Sequence, residues 1–168
     1  KRVARKDLAL QAIAYGNVYV AQVAMGANPQ HTLLAFREAE AWPGPALIIA
    51  YSHCIAHGFD LRYGMRQQAL ATASGYWPLF RFNPAMRTLG ERPFRLDSPR
   101  PTIPFKVYAY NELRYRALAH SDPEAAETLL AKAQRVVTEK YRQYEELASR
   151  GCECFHPVID EAGISRRP

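Results

Sequence analysis

Two nearly unbroken apolar runs, residues 18–23 and 46–51, stand out near the start of the chain. Neither run alternates with polar residues, which is the pattern of strands covered on both faces in a parallel sheet. Between the runs, Asn28 can cap a helix that has Pro29 at its first position, where a missing N–H costs nothing. Strand, helix and strand within about 35 residues predict a βαβ unit with a right-handed crossover. One face of the intervening helix carries Leu33, Phe36 and Ala39.

The rest of the sequence predicts mainly helices, which have clear start and stop signals. They are predicted over Leu8 to Tyr15 with Asp7 as N-cap, Arg62 to Ser74 before Gly75, Asn111 to His120, and a long helix from Pro123, capped by Asp122, to Gly151. Residues 76–84, aromatic and interrupted by proline, predict a short strand or an extended arm. Residues 85–105 contain Pro93, Pro99, Pro101 and Pro104 and predict an irregular surface connector rather than a core element.

The predicted organisation is α/β, with three parts. Residues 1–84 form the βαβ part, residues 85–151 the connector and C-terminal helices, and residues 152–168 a loose tail. With 168 residues and 48% hydrophobic content, the chain is long enough for one domain with a core.

Charge and cysteine content exclude several classes of protein. The net charge of +6 comes from scattered basic residues, so no nucleic-acid partner is predicted. Three cysteines are too few for a disulfide scaffold, which favours a cytoplasmic protein. No apolar run approaches the roughly 18 residues of a membrane span, so no membrane partner is predicted. A start without Met or an apolar leader is what a chain begun partway through a longer protein would have.

Cys54 is the first candidate for chemistry, because the loop 52–58 directly follows the second predicted strand. Ligands and reacting groups in open α/β sheets gather beyond the carboxyl ends of the strands. Three roles are open for this residue. It can be a buried structural cysteine, a nucleophile that uses His53 or His57 as base, or a thiolate ligand completed by groups from elsewhere.

Cys152, Cys154 and His156 form a second small group, in the predicted tail. Structural zinc normally requires two pairs of ligands, and only one tight cluster exists here, so no metal site is predicted there. The chain also has no dinucleotide-binding glycine motif, no P-loop and no nucleophile-elbow motif.

Several runs resemble one enzyme family over roughly residues 5–150. They are Tyr15 to Ala21, Val23 to Asn28, Glu38 to Glu40, Gly44 to Tyr51, Cys54 to Gly58, Gly75 to Pro84 and Pro93 to Ser98. Together they resemble the thiamine-binding end of pyruvate:ferredoxin (flavodoxin) oxidoreductases. The combination of Ala50 to Gly58 with Gly75 to Pro84 is the most specific part.

The resemblance implies a C-terminal fragment of a large, usually homodimeric enzyme. Such enzymes convert pyruvate and coenzyme A to acetyl-CoA and CO₂, and they reduce ferredoxin or flavodoxin. They carry thiamine diphosphate, Mg²⁺ and [4Fe–4S] clusters. The family's Cys-Ile-x-x-Gly cysteine, the fourth ligand of the cluster nearest the thiamine, matches Cys54. The family's Gly-Asp-Gly thiamine motif and other cluster cysteines are not in this chain, so it is expected to be inactive alone.

Two alternatives to the pyruvate oxidoreductase fragment are also compatible with the sequence. The chain can be a non-catalytic α/β domain that docks on a larger assembly, in which case Cys54 is dispensable. It can also belong to an oxidoreductase for another 2-oxo acid, because no substrate pocket is recognisable in the sequence. An isolated sheet of two or three strands would leave edges uncovered, so the fragment is expected to aggregate when expressed alone.

Overall fold

A mixed four-stranded sheet with the order β2-β1-β3-β4 organises the chain. The computed structural model describes residues 6–150. The strands are β1 (Tyr19–Val23), β2 (Ala46–Ala50), β3 (Phe80–Phe82) and β4 (Phe94–Leu96). The α-helices are α1 (Leu8–Ile13), α2 (Pro29–Ala41), α3 (Gly64–Ala73), α4 (Phe105–Ala109), α5 (Leu113–Ser121) and α6 (Pro123–Ser149). Short 3₁₀ turns cover Ile55–His57, Leu61–Tyr63 and Pro84–Leu89. The predicted α/β class is confirmed.

The predicted βαβ unit is also confirmed. Strands β1 and β2 pair in parallel, with Tyr19 opposite Ala46 and Val23 opposite Ala50. The capping prediction for α2 holds as well, because the Asn28 side chain accepts a hydrogen bond from the backbone N–H of His31 at 2.9 Å. Burial, however, differs between the two strands. All of β1 is buried, whereas β2 is the outer strand of the described sheet and its end residues are exposed.

Helix α2 lies on the sheet through small residues rather than through its large apolar ones. Ala35 is fully buried against β1, whereas Leu33 and Phe36 are 54% and 53% exposed. Of the apolar face noted in the sequence, only Ala39 packs against the core, and the two large residues do not. Alanine at the contact lets the helix backbone approach the sheet closely, and the large residues lie to the side of that contact.

The expectation of an irregular surface connector over residues 85–105 is wrong in one stretch. Residues 94–96 form β4, which pairs antiparallel with β3, and Phe94 is buried in the core. The stretch can pair because its prolines stand just before and after it, and an edge strand tolerates such neighbours. The sheet therefore contains strands from both sides of the boundary predicted at residue 84. Helix α4, which begins after Pro104, was also not predicted.

Alternate residues of β1 face two different packing layers. Val20 points towards α1 and α6, and Tyr19, Ala21 and Val23 point towards α2. The first layer is aromatic and contains Phe80, Phe82, Phe94 and Tyr144. A further apolar cluster joins α3, α4 and α6 through Ala71, Phe105, Tyr108, Ala109 and Val137.

Two side chains of helix α6 bond Asp7, near the start of the described residues. The Tyr144 hydroxyl donates a hydrogen bond to the Asp7 carboxylate at 2.6 Å, and the Lys140 ammonium lies 3.0 Å from the same group. The other oxygen of Asp7 accepts from the backbone N–H of Leu10 at 3.0 Å and thereby caps α1. One carboxylate thus joins the first and last helices.

A charged network fills the space between α2 and the sheet. The Arg81 guanidinium donates two hydrogen bonds to Asp97, at 2.9 and 2.8 Å, and one to Glu38 at 2.5 Å. Glu38 also accepts from the Tyr19 hydroxyl at 2.9 Å, and His31 lies 2.9 Å from Asp97. Arg81 is only 9% exposed, so its charge is balanced almost entirely by these partners.

The network predicts that acid destabilises the sheet. Burial alone would raise the pKa of Asp97, but hydrogen bonds from His31 and Arg81, with the charge of Arg81, lower it below its usual 3.8. A lowered pKa in the folded state gives stability that is present above the unfolded pKa and is lost as the pH falls through the folded pKa. Corrected for intrinsic exchange, amide protection in β3 should fall as the pH drops below about 4. Asp97→Asn should weaken this dependence, and protection that rises on acidification would contradict the assignment.

Candidate functional site

Cys54 lies beyond the carboxyl end of β2, at the start of the one-turn helix Ile55–His57. Gly58, in the left-handed conformation with φ of 72°, ends that turn. The cysteine is exposed and in the free thiol form, and the neighbouring Ile55 is 75% exposed. Within the described residues, Cys54 is therefore not part of the buried core. The segment Ser52–Gly58 is called the Cys54 loop below.

The two histidines of the Cys54 loop face groups other than the Cys54 thiol. His53 Nδ1 lies 3.2 Å from the side-chain nitrogen of Gln68, and its ring packs edge-on against Phe59 with centroids 6.2 Å apart. His57 Nδ1 lies 3.8 Å from the Glu112 carboxylate. Within residues 6–150, no hydrogen bond joins either imidazole to the Cys54 thiol. A cysteine nucleophile needs such a base, so the geometry does not favour that role.

Gln68 of α3 connects the Cys54 loop to the loop after β1. Its side-chain oxygen accepts from the backbone N–H of Gly26 at 2.8 Å, and its side-chain nitrogen bonds His53. Gln68 is 5% exposed. The segments that follow the two parallel strands are therefore joined through one buried amide.

The neighbouring Gln67 supports the other end of the same loop. Its amide nitrogen donates to the Glu112 carboxylate at 3.0 Å and to the Tyr108 carbonyl at 3.1 Å. Glu112 is fully buried and also accepts from Arg114 at 2.5 Å. The next residue, Leu113, donates its backbone N–H to the Gly58 carbonyl at 3.0 Å and so fixes the end of the Cys54 loop.

A small cleft of about 210 Å³ opens beside the Cys54 loop. Its lining includes Tyr51, His57, Tyr108 and Arg114. The hydroxyls of Tyr51 and Tyr108 lie 2.7 Å apart, and burial raises the pKa of both. Both phenols therefore stay protonated at neutral pH and share a hydrogen bond between uncharged groups.

The part of the chain that the structure describes can supply one thiolate, but not a complete metal site. Residues 6–150 contain no group of three or more His, Cys, Asp and Glu side chains able to hold a metal ion. Iron–sulfur clusters need several cysteine thiolates, and these can come from distant parts of a polypeptide. The exposed Cys54 thiol, beside the exposed apolar Ile55, fits the role of one such ligand. Cys152, Cys154 and His156 lie outside the described residues.

None of the helices described for residues 6–150 combines the length and the apolar character needed to cross a membrane. The longest, α6, carries charged residues throughout its length.

The fold and the exposed cysteine define an α/β unit that presents a potential thiolate ligand beyond a parallel strand. No protein-family model matches the chain. Curated relatives along most of its length are pyruvate-flavodoxin and pyruvate:ferredoxin oxidoreductases, at 43 to 49% identity. The predicted resemblance to these oxidoreductases is thereby confirmed, whereas the thiamine-binding assignment stays a prediction.

Three of these relatives illustrate the match. The pyruvate-flavodoxin oxidoreductase of Trichormus variabilis is 49% identical over 150 residues, which is 89% of this chain and 13% of the relative. The pyruvate:ferredoxin oxidoreductase of Moorella thermoacetica is 46% identical over 144 residues, or 86% of this chain and 12% of the relative. The pyruvate-flavodoxin oxidoreductase of Klebsiella pneumoniae is 44% identical over 150 residues, 88% of this chain and 13% of the relative. The chain thus spans about an eighth of the length of the curated relatives it matches.

Sequence reasoning identified Cys54 but missed the residues that support its loop. Gln67, Gln68 and Glu112 carry those contacts, across 15 to 45 positions of sequence. The available signal was a pair of adjacent glutamines on a short helix that is otherwise rich in alanine. Amides at successive helical positions point in different directions, so such a pair can bond to two separate segments.

Proposed function

We propose that this chain is part of an oxidoreductase that oxidatively decarboxylates pyruvate with coenzyme A and reduces flavodoxin or ferredoxin. Within that enzyme, Cys54 supplies one thiolate ligand to a [4Fe–4S] cluster near thiamine diphosphate and its Mg²⁺. The identity of 43 to 49% to pyruvate oxidoreductases over most of the chain carries the proposal. The position and exposure of Cys54 support its part in it.

When bound, thiamine diphosphate supplies the decarboxylation chemistry and the cluster carries the electrons away. The residues of this chain hold the ligand in place for that purpose. The parallel pair β1 and β2 brings the loops after both strands to one edge, and Gln68 joins them. The hydrogen bond from Leu113 to Gly58 fixes the far end of the Cys54 loop. These contacts restrict where the thiolate can lie.

The names of the relatives favour pyruvate over other 2-oxo acids, because the relatives compared above are all named for pyruvate. Homodimerisation remains a prediction from the family resemblance, and a cytoplasmic location remains a prediction from the low cysteine content. Under the docking-domain alternative Cys54 is dispensable, whereas under the enzyme proposal it is a cluster ligand. A substitution of Cys54 therefore distinguishes the two.

Cys54→Ser in the full-length polypeptide that carries this chain is the test. Under the proposal the anaerobically purified variant lacks one cluster, or about four iron atoms per polypeptide, and loses the corresponding electron paramagnetic resonance signal. Ser52→Ala, a change at an exposed position of the same loop, should retain both. Full iron content and an unaltered spectrum in Cys54→Ser would refute the ligand assignment and favour a docking role.

A further inference from the structure

We propose that Gln68 is a positioning residue that sets the geometry of the Cys54 thiolate by tying His53 to the backbone of Gly26. This inference rests on the proposed function, because it concerns the cluster that Cys54 is proposed to bind. Gln68 itself lies on α3 and has no role as a ligand.

The orientation of the Gln68 amide follows from its partner at Gly26. A backbone N–H can only donate, so the group that faces it at 2.8 Å is the amide oxygen. The amide nitrogen must then face His53 Nδ1, at 3.2 Å, and donate to it. His53 Nδ1 is therefore an acceptor, and the ring proton of the neutral imidazole is on Nε2. The backbone N–H of Gly26, in the loop after β1, thus determines the tautomer of His53, the residue before Cys54.

The His53 ring is also confined on its other side. A Cβ atom placed on Gly64, at the start of α3, would collide with the ring at Nε2 and its neighbouring carbons. The absence of a side chain at Gly64 therefore makes the space in which the ring lies. The ring thus meets α3 at two points, because Nδ1 bonds Gln68 and the Nε2 side lies against Gly64. It therefore has little freedom to rotate.

The position of His53 restricts where Cys54 can lie, since the two residues share a peptide bond. Cys54 is extended, with φ of −135° and ψ of 139°, and its side chain projects to the exposed side of the loop. Loss of the Gln68 amide removes the hydrogen-bond partner of two part-buried polar groups, the Gly26 N–H and His53 Nδ1. The loop would then relax, and the thiolate would move with it.

The test uses Gln68→Met in the full-length enzyme, because methionine keeps the length of the side chain and removes both hydrogen bonds. We expect a shifted midpoint potential and an altered paramagnetic resonance spectrum for one cluster only. We also expect that cluster to lose iron to a chelator roughly tenfold faster, the size of effect usual for groups that orient metal ligands. Thr72→Val is the matched control: the residue is on the same helix, is buried, and its hydroxyl has no hydrogen-bond partner among the described residues. It should change none of these values.

Gly64→Ala provides a second, independent variant in case Gln68→Met does not fold. Alanine is favourable within a helix, yet its Cβ displaces the His53 ring, so the same cluster should change while α3 itself stays intact. An unchanged potential, spectrum and chelation rate in Gln68→Met, or in Gly64→Ala if the first variant is unstable, overturns the positioning role.

Cys54→Ser separates this inference from the proposed function. If Cys54→Ser loses the cluster and the Gln68 and Gly64 variants are unchanged, only the positioning role fails. If Cys54→Ser keeps all clusters, the ligand assignment itself fails, and with it the role of Gln68.

Discussion

Replacing Arg81 with methionine is expected to lower amide protection in β1 and β3 roughly a hundredfold, which corresponds to about 3 kcal/mol. The substitution removes the only cation in contact with both Glu38 and Asp97 among the described residues. Glu38 would keep only the Tyr19 hydroxyl, and Asp97 only His31. Two largely buried carboxylates with too few partners cost more than the hydrogen bonds themselves contribute.

Hydrogen exchange with mass spectrometry on the full-length polypeptide measures this effect locally, so two-state unfolding of the whole polypeptide is not required. Arg95→Met is the matched control. Arg95 lies opposite Arg81 on β4, but it pairs with Glu91 at the surface, where both side chains are about half exposed. Exposed pairs contribute about 1 kcal/mol or less. Equal losses in the two variants would show that Arg81 is no more important than a surface arginine.

Gly58→Ala should open the end of the Cys54 loop. We expect it to destabilise the closed loop by about 3 kcal/mol, from two causes. The left-handed backbone, with φ of 72°, disfavours any side chain by about 1 kcal/mol. The new Cβ would also overlap the Leu113 side chain, and relief of that overlap would break the hydrogen bond from Leu113 to the Gly58 carbonyl. Amide exchange in residues 55–58 and 113–116 should rise, and if Cys54 is a cluster ligand as proposed, iron loss from the full-length polypeptide should accelerate.

Gly90→Ala separates the two causes. Gly90 also ends a 3₁₀ turn with a left-handed backbone, at φ of 70°, but a Cβ there meets nothing within 4 Å. It should show only the backbone cost, of about 1 kcal/mol. If both glycine variants behave alike, the contact with Leu113 contributes nothing to holding the loop.

Local signals explain why much of the fold was predictable. The caps at Asp7, Asn28 and Asp122 each depend on a side chain and a backbone N–H three residues later, so the sequence contains the whole interaction. The βαβ unit follows from two apolar runs at a suitable separation. By contrast, β4 has only three residues, lies among prolines, and forms because β3 is available as a partner. Pairing with a neighbouring strand outweighed local composition there.

The same distinction between local signals and tertiary contacts applies to the candidate site. Cys54 could be predicted as a candidate because a loop after a parallel strand is a recurrent place for ligands, and because the flanking motif resembles an oxidoreductase family. The contacts of Gln68 and Glu112 could not be found, because they depend on where α3 and α5 lie relative to the sheet. Likewise, Leu33 and Phe36 share a helical face in sequence, but the position of α2 leaves both exposed.

The connection between α6 and α1 has a consequence for synthesis of the protein. The Tyr144 ring packs against Phe80 and Phe94, with centroids 4.8 and 6.1 Å away, and its hydroxyl bonds Asp7 across 137 positions of sequence. Contacts this distant in the chain form late. A growing chain that has released β4 from the ribosome but not yet α6 therefore has its aromatic layer uncovered, and that interval is when it is most exposed to misfolding and to chaperones.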